Sequence, residues 1–201
     1  MQSPNTPTPI ETGDASEITR ILARSFADDP MMLWLFPDEE GRADRLAQWF
    51  DVMLTHKYGP LGHCERTSAA AAFWTPPGTA EQHPDEETLA RINGLLGENV
   101  ARLGEMLELV GAAAPQEPHW YLAVLGADPA AQGNGHGAAL LRSGLAKADA
   151  AGLPAHLESS KESNIGFYEH FGFTVQHEIR VPGGGPTLWS MWRTARGDAR
   201  G

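Results

Sequence analysis

The sequence predicts an α/β fold in which one sheet is covered by several helices, and three observations carry that expectation. From about residue 118 the chain alternates short apolar strands with helix-patterned segments. Before that point, apolar residues recur at helical spacing in three separate stretches. With 201 residues, 41% of them hydrophobic, the chain suffices for one domain with a sizeable core.

Taken in order, "MQSPNTPTPI" is rich in Pro and Thr, so residues 1–10 read as a disordered tail. From Asp14 or Ser16, either of which suits an N-cap, Ile18, Ile21, Leu22 and Phe26 define a first helix that "ADDP" stops. "MMLWLFPD" reads as a short apolar loop, and Leu46, Trp49, Phe50, Met53 and Leu54 as a second helix ending at "YGP". "HCERTSAAAAFWTPPG" is a hairpin-like pair of strands closed by two prolines. The stripe from Leu89 through Ile92, Leu96, Val100, Leu103, Met106 and Leu107 to Val110 predicts one long apolar helix over about 85–110. It would serve as a pocket lid, as a dimer face, or simply as a buried element. Then come a strand "HWYLAVLGA", a helix Gly135–Ala151, a strand "AHLES", a short helix Asn164–Phe171, and strands "FTVQHEI" and "TLWSMW". "RTARGDARG" follows, with residues 195–201 expected to be a second disordered tail.

Composition narrows the function classes. The formal net charge is −11, from 26 acidic and 15 basic residues, which repels phosphate backbones, so nucleic acid is not an expected partner. No segment offers the roughly 18 consecutive apolar residues of a membrane span, and the first residues lack the pattern of a secretory signal. The single cysteine, Cys64, can form no internal disulfide, and a cytoplasmic location is the default expectation. The eight histidines show neither HxxxH nor HExxH spacing and no cysteine partners, so no metal is expected. No G-x-S-x-G elbow exists.

The stretch that points to chemistry is "ADPAAQGNGHGAALL", residues 127–141, where three alternate glycines open a helix. Amides at such a start have no intrahelical partner, and with the helix dipole they form an anion site. Glycine lets the anion approach and tolerates positive φ. The alternative is a turn that only lets helix and strand pack closely. "GNGHGA" also satisfies the dinucleotide pattern G-x-G-x-x-G/A, with Glu158 about 20 residues on. In that motif, however, the glycines directly follow the strand, whereas here "GADPAAQ" intervenes.

Strand, "DP", Gln132, then "GNGHG" resembles the acyl-coenzyme A signature Q/R-x-x-G-x-G/A of the GNAT superfamily of N-acetyltransferases, with Gln132, Gly135 and Gly137 in its fixed positions. "SNIGFYEHFGF", residues 163–173, is similar to that superfamily's closing motif, in the correct order and with one strand between. "LES", the final "W-x-M-x-R" and, less closely, "SFADDP" and "AAAAFWTPPG" are similar to the puromycin N-acetyltransferase group. The resemblance implies a single GNAT-like domain over residues 11–194, with an acceptor-binding half (11–117) and an acetyl-CoA-binding half (118–194). It further implies a mixed, mostly antiparallel sheet of about six to seven strands, helices on both faces and a splayed central strand pair. The bulge that splays the pair suits Gly126.

Acetyl transfer from acetyl-CoA to an amine needs a clamp on the coenzyme, a donor to the thioester oxygen, a base and an acid. The resemblance assigns the clamp to amides of Gly133, Asn134, Gly135, His136, Gly137 and Ala138 with the Asn134 and His136 side chains, and adds Gln132 and Asn164 as coenzyme contacts. Leu125, Gly126 and Ala127 would pair with the pantetheine arm and supply the oxyanion donor. The variable loop positions carry no Arg or Lys, and Arg142 is the nearest cation in sequence. Tyr168 is the candidate general acid, because a phenol near pKa 10 still holds its proton at neutral pH and can give it to the thiolate as the C–S bond breaks. Glu158 is either the base or a solvated strand-end residue; Asp28 and Asp29 either attract the amine or end a helix. Trp34 and Phe36, placed in a loop, are the expected wall of the acceptor pocket. The expected activity is N-acetylation of a small-molecule amine, with a peptide N-terminal acetyltransferase or a non-enzymatic acyl-CoA-binding module as alternatives.

Overall fold

Seven strands, β1 (Thr8–Pro9), β2 (Cys64–Arg66), β3 (Ala70–Thr75), β4 (Trp120–Ala127), β5 (Ala155–Ser159), β6 (Thr174–Arg180) and β7 (Thr187–Arg193), form one sheet in the order β1-β2-β3-β4-β5-β7-β6. The computed structural model describes residues 3–79 and 84–197. Every strand pair is antiparallel except β4–β5. Among the described residues, seven α-helices flank the sheet: α1 (Ala15–Ser25), α2 (Pro30–Leu35), α3 (Arg42–Val52), α4 (Glu86–Leu96), α5 (Val100–Ala113), α6 (His136–Ala150) and α7 (Ile165–His170).

The run "AAAAFW" is apolar on both sides because β3 is covered on both faces. Ala71 and Phe73 enter one core with α1 and α3, whereas Ala70, Ala72 and Trp74 enter another with α6 and α7. A third cluster, Met106 with Ile179, Val181 and Leu188, holds α5 against β6 and β7. The terminal "W-x-M-x-R" is structural here. Met191 is fully buried, and buried Arg193 makes two 2.8 Å bonds to Asp149 of α6 and a third to the Phe171 carbonyl.

The splayed pair is present, but its bulge is displaced from the expected position. β4 and β5 pair only at Trp120–Ala155 and Tyr121–His156, and beyond these residues they diverge. The register of β4 on β3 jumps from Leu122 to Val124, so Ala123 is the extra residue, not Gly126. The insertion flips the side-chain alternation: Trp120 and Leu122 face α6 before it, and Leu125 and Ala127 face that side after it. Gly126 then points at α1, where a Cβ would lie 2.8–2.9 Å from Leu22, Ser25 and Phe26. Close helix approach, rather than strand bending, requires this glycine.

Three further expectations are corrected. "MMLWLF" is not a loop: the Asp29 carboxylate caps it, accepting from the amides of Met31 and Met32, and Pro30 occupies the first helical position, so residues 30–35 wind into α2. The predicted single helix over 85–110 is two, broken where Gly97 adopts φ 53° and Gly97–Asn99 form a 3-10 turn. Of the N-terminal tail, residues 3–10 are held to the fold: Ser68 donates to the Pro4 carbonyl, β1 pairs with β2, and the Asn5 side chain donates to Asn134 O at 2.7 Å. Residues 1–2 lie outside the described residues. So do 198–201 of the expected C-terminal tail, within which the Arg196 amide donates to Asp149.

Candidate active site

Where β4 and β5 part, the β5-facing edge of Leu122–Ala127 has no strand partner among the described residues, and two cavities open beside it. The larger, about 820 Å³, is bounded by the end of α1, the glycine loop and α7. The smaller, about 140 Å³, lies between α2, α5 and the two diverging strands. Phe26, Asp29, Leu125, Asn164 and Tyr168 line both, so the cavities meet at these residues.

The glycine loop has the geometry that an anion cradle requires. Gly133 and Gly135 take φ of 82° and 86°, conformations that other residues rarely adopt, and Gly135 caps α6. Among the described residues the amides of Gly133, Gly135, His136, Gly137 and Ala138 have no hydrogen-bond partner, while the α6 ladder begins with Ala139 donating to Gly135. A Cβ at Gly137 would touch no protein atom within 4 Å, because that space belongs to the cavity. These residues fit a diphosphate.

Two of the expected contacts do not hold. The Asn134 amide turns back to Ala131 O at 3.3 Å, and Asn134 does not line the cavity. The His136 side chain is buried with Nδ1 3.0 Å from Thr67 Oγ1, so it anchors the loop instead of reaching for an anion. Gln132, Leu125 and Ala127 line the cavity; Gly126 does not. Nor does Arg142, whose guanidinium lies over the Phe171 ring. The cations that do line it are Arg24, paired with Asp128 at 2.5 Å, and Lys161, paired with Asp28 at 2.5 Å. The Lys161 hydrogen bond holds the Asp28 carboxyl below its ordinary range.

On the small-cavity side the titratable groups are buried and linked. Glu158, its side chain 9% exposed, accepts from the Tyr121 hydroxyl at 2.7 Å, and its other oxygen lies 3.4 Å from His156 Nε2. That same nitrogen is 2.9 Å from Ser190 Oγ. Burial pushes the Glu158 carboxyl up to about 7, against the opposing pull of the Tyr121 bond. Burial, then the neighbouring His119 and His177, lowers His156 to about 3, so it stays neutral near pH 7. Tyr121 is held a phenol by burial and by the Glu158 charge. Tyr168, 8% exposed, is likewise kept protonated by burial, with the charge of Asp29 adding to the effect. Burial raises Asp29 as well, outweighing the Ser160 hydroxyl and the α2 amides that bond to it.

Of the predicted acceptor residues, Asp29 lines both cavities while capping α2, and Asp28 lines only the large one. Trp34 and Phe36 line neither. Phe36 packs in the core at 5.9 Å from the Trp49 ring, and Trp34 lies beneath Arg102. The small cavity takes its walls from Phe26, Met31, Met106, Leu107, Val110 and Leu188 instead. Tyr121, His156 and Ser190 were also missed. His156 was within reach, since it stands two residues before Glu158 and shares its face of the strand; the other two depend on strand pairing that sequence does not show. Among the described residues no group of three or more His, Cys, Asp or Glu is placed to hold a metal ion, and no helix is long and apolar enough to cross a membrane.

Comparison with known proteins agrees with this geometry. Residues 64–173 match the Acetyltransferase (GNAT) family. The chain is 42% identical over 187 residues to an uncharacterized N-acetyltransferase of Schizosaccharomyces pombe, covering 85% of this chain and 74% of that protein. The crystal structure of histone acetyltransferase HPA2 and related acetyltransferase from Corynebacterium glutamicum superposes with a TM-score of 0.75 at 24% identity, over 96% of this chain and 98% of that one. Arylalkylamine N-acetyltransferase 2 from Aedes aegypti gives 0.65 at 12% identity, over 94% and 98%. The two structures speak to the fold; the family match and the yeast relative place the chain in the GNAT family of N-acetyltransferases.

Proposed function

We propose that this N-acetyltransferase moves an acetyl group from acetyl-CoA to the primary amine of a small molecule, which attacks the thioester directly. The observation that carries this reading is the junction of the two cavities at Tyr168, with Glu158 lining the small one. The large cavity takes the coenzyme, its diphosphate on the free amides of Gly133, Gly135, His136, Gly137 and Ala138, with Gln132 and Asn164 beside it. The bare edge of β4 at Leu125–Ala127 pairs with the pantetheine amides and offers an N–H to the thioester oxygen, a contact typically worth about 3 kcal/mol. The amine enters the small cavity as an ammonium. Glu158, near 7, takes its proton directly or through a water; the free amine attacks, Tyr168 protonates the departing sulfur as the C–S bond breaks, and the second proton, lost by the acylated nitrogen, restores the Tyr168 phenol. Arg24 and Lys161 supply the positive charge that the loop lacks.

A small acceptor is favoured over a peptide because the cavity beside Glu158 is about 140 Å³ and walled by α2 and α5 rather than forming an open groove. The resemblance to the puromycin group puts puromycin among the acceptors to be tried. The test is thiol release from acetyl-CoA over a panel of primary amines, puromycin and short peptides. Turnover of amines above that of peptides is expected; faster turnover of peptides refutes the small-molecule reading.

A further inference from the structure

We infer that the acceptor is a monoamine carried on a short apolar body, about five to eight non-hydrogen atoms long, and not a polyamine or other dication. This rests on the small-molecule reading above and specifies its substrate class.

The first support is the distribution of charge around the small cavity. The charged side chains that line it are Asp29, which also lines the large cavity, and Glu158. Asp29 is already bonded at both oxygens: one accepts from the Met31 and Met32 amides and the other from the Ser160 hydroxyl. Of these two lining carboxylates, Glu158, which among the described residues accepts only from the Tyr121 hydroxyl at 2.7 Å, has the oxygen left to meet an ammonium. The walls leading away from it, Phe26, Met31, Met106, Val110 and Leu188, carry no hydrogen-bonding side-chain group. The acidic residues that could serve a second cation are elsewhere. Glu105 and Glu108 of α5 are exposed and do not line the cavity, and Asp28 faces the coenzyme side, paired with Lys161. A second ammonium on the ligand would therefore sit unpaired against apolar side chains.

Size is the second support. A dry cavity of about 150 Å³ holds a benzene-sized group, and the space here is about 140 Å³. Two of its walls are methionines, whose unbranched side chains fit to either a flat ring or a bent alkyl chain. Leu107, 49% exposed, and Val110 stand on α5 as the outer lip against which the end of such a body would rest.

The decisive comparison is hexylamine with 1,5-diaminopentane, equal in length and differing by a terminal methyl against a terminal ammonium. Values of kcat/KM from thiol release should favour hexylamine at least tenfold, per amine group, at pH 7.5. Along the series from ethylamine to hexylamine each methylene should raise kcat/KM about fourfold, the equivalent of about 0.8 kcal/mol. Val110→Glu, which puts a carboxylate on the α5 wall, should narrow the hexylamine preference at least tenfold. Met106→Ala, which lengthens the cavity, should move the best chain length out by one or two carbons. A ratio near one or favouring the diamine overturns the inference while leaving the small-molecule reading intact, as does a preference untouched by both substitutions in folded protein that binds acetyl-CoA. Peptides turned over faster than every amine overturn that earlier reading, and this inference with it.

Discussion

The large cavity is built from main chain and the small one from side chains. Around the proposed diphosphate site, the unpaired amides of one short stretch, Gly133 and Gly135–Ala138, border a cavity with few side chains, and His136 and Asn5 hold that stretch in place. Around Glu158, by contrast, Phe26, Met31, Met106, Tyr121 and Leu188 come from five separate elements, and function depends on what those side chains fill, bury or hydrogen-bond. A site of the first kind is damaged by adding atoms. A site of the second kind is damaged by removing or neutralising them. Tyr168 stands in both, and the largest effect is expected there.

Tyr168→Phe should lower kcat about 100- to 10,000-fold, the usual range for loss of a general acid, and leave the Kd for acetyl-CoA unchanged. Calorimetric titration with the coenzyme beside single-turnover kinetics separates the two. A mainly raised Kd would move Tyr168 into the binding site and out of the chemistry. A buried phenol this well desolvated should also impose no descending limb on the pH profile below pH 10.

Glu158→Gln tests the side-chain site alone and should cost kcat/KM about 100-fold. With the wild-type carboxyl near 7, kcat/KM should climb with pH and level off above about 7, and the Gln variant should lose that limb. Stability carries the opposite sign. A carboxyl whose pKa is raised on folding binds more protons folded than unfolded, so its contribution falls as pH rises from about 4.5 to about 7, by as much as roughly 3 kcal/mol. His156, lowered to about 3, works the other way, its contribution growing between about 3 and 6.5. The difference between wild-type and Glu158→Gln unfolding free energies across pH 5–8 isolates the Glu158 part.

The contrast between the cavities also decides how much could be read from sequence. A site made of consecutive amides leaves a local signature, and Gln132, Gly133, Gly135, Gly137, Ala138 and the order strand–loop–helix all lie where the spacing puts them. The α/β sheet was equally legible, because apolar periodicity reports which faces are covered, whereas its antiparallel majority and splayed pair followed only from the resemblance to the GNAT superfamily. Trp34 and Phe36 were misplaced because a capping aspartate and Pro30 turn an apolar "loop" into a helix that leaves Trp34 half-buried under Arg102 and Phe36 buried at its end. The bulge was misplaced because Gly126 answers to Leu22, Ser25 and Phe26, neighbours a hundred residues away in the chain. Arg24 and Lys161, the cations the loop lacks, come from elements whose meeting only the fold defines.

Adding atoms is the matching test for the main-chain site. Gly137 has an ordinary helical φ and open space at its Cβ position, so Gly137→Val should fold with an unchanged or slightly raised Tm. Its side chain would occupy the room that the diphosphate needs, and KM for acetyl-CoA should rise about tenfold or more with kcat for saturated enzyme largely kept. A lower Tm with unaltered KM would show that the glycine serves packing, and that the free amides point at nothing of consequence.

The smallest effect belongs to the charges that flank this site. Arg24 is half exposed and already bonded through two nitrogens to Asp128, so the diphosphate must share it or displace the carboxylate. Exposed pairs of this kind contribute about 0.2–1 kcal/mol, which translates into a rise of about 1.4- to fivefold in KM for acetyl-CoA in Arg24→Ala at low salt. Debye screening shortens to about 8 Å at 0.15 M ionic strength, so the difference from wild type should shrink as salt is raised. Asp128→Asn, which frees Arg24 without removing it, should lower KM slightly. If both substitutions raise KM alike, the pair acts as a brace between α1 and the turn before the glycine loop, and the coenzyme charge is balanced by main-chain amides and Lys161.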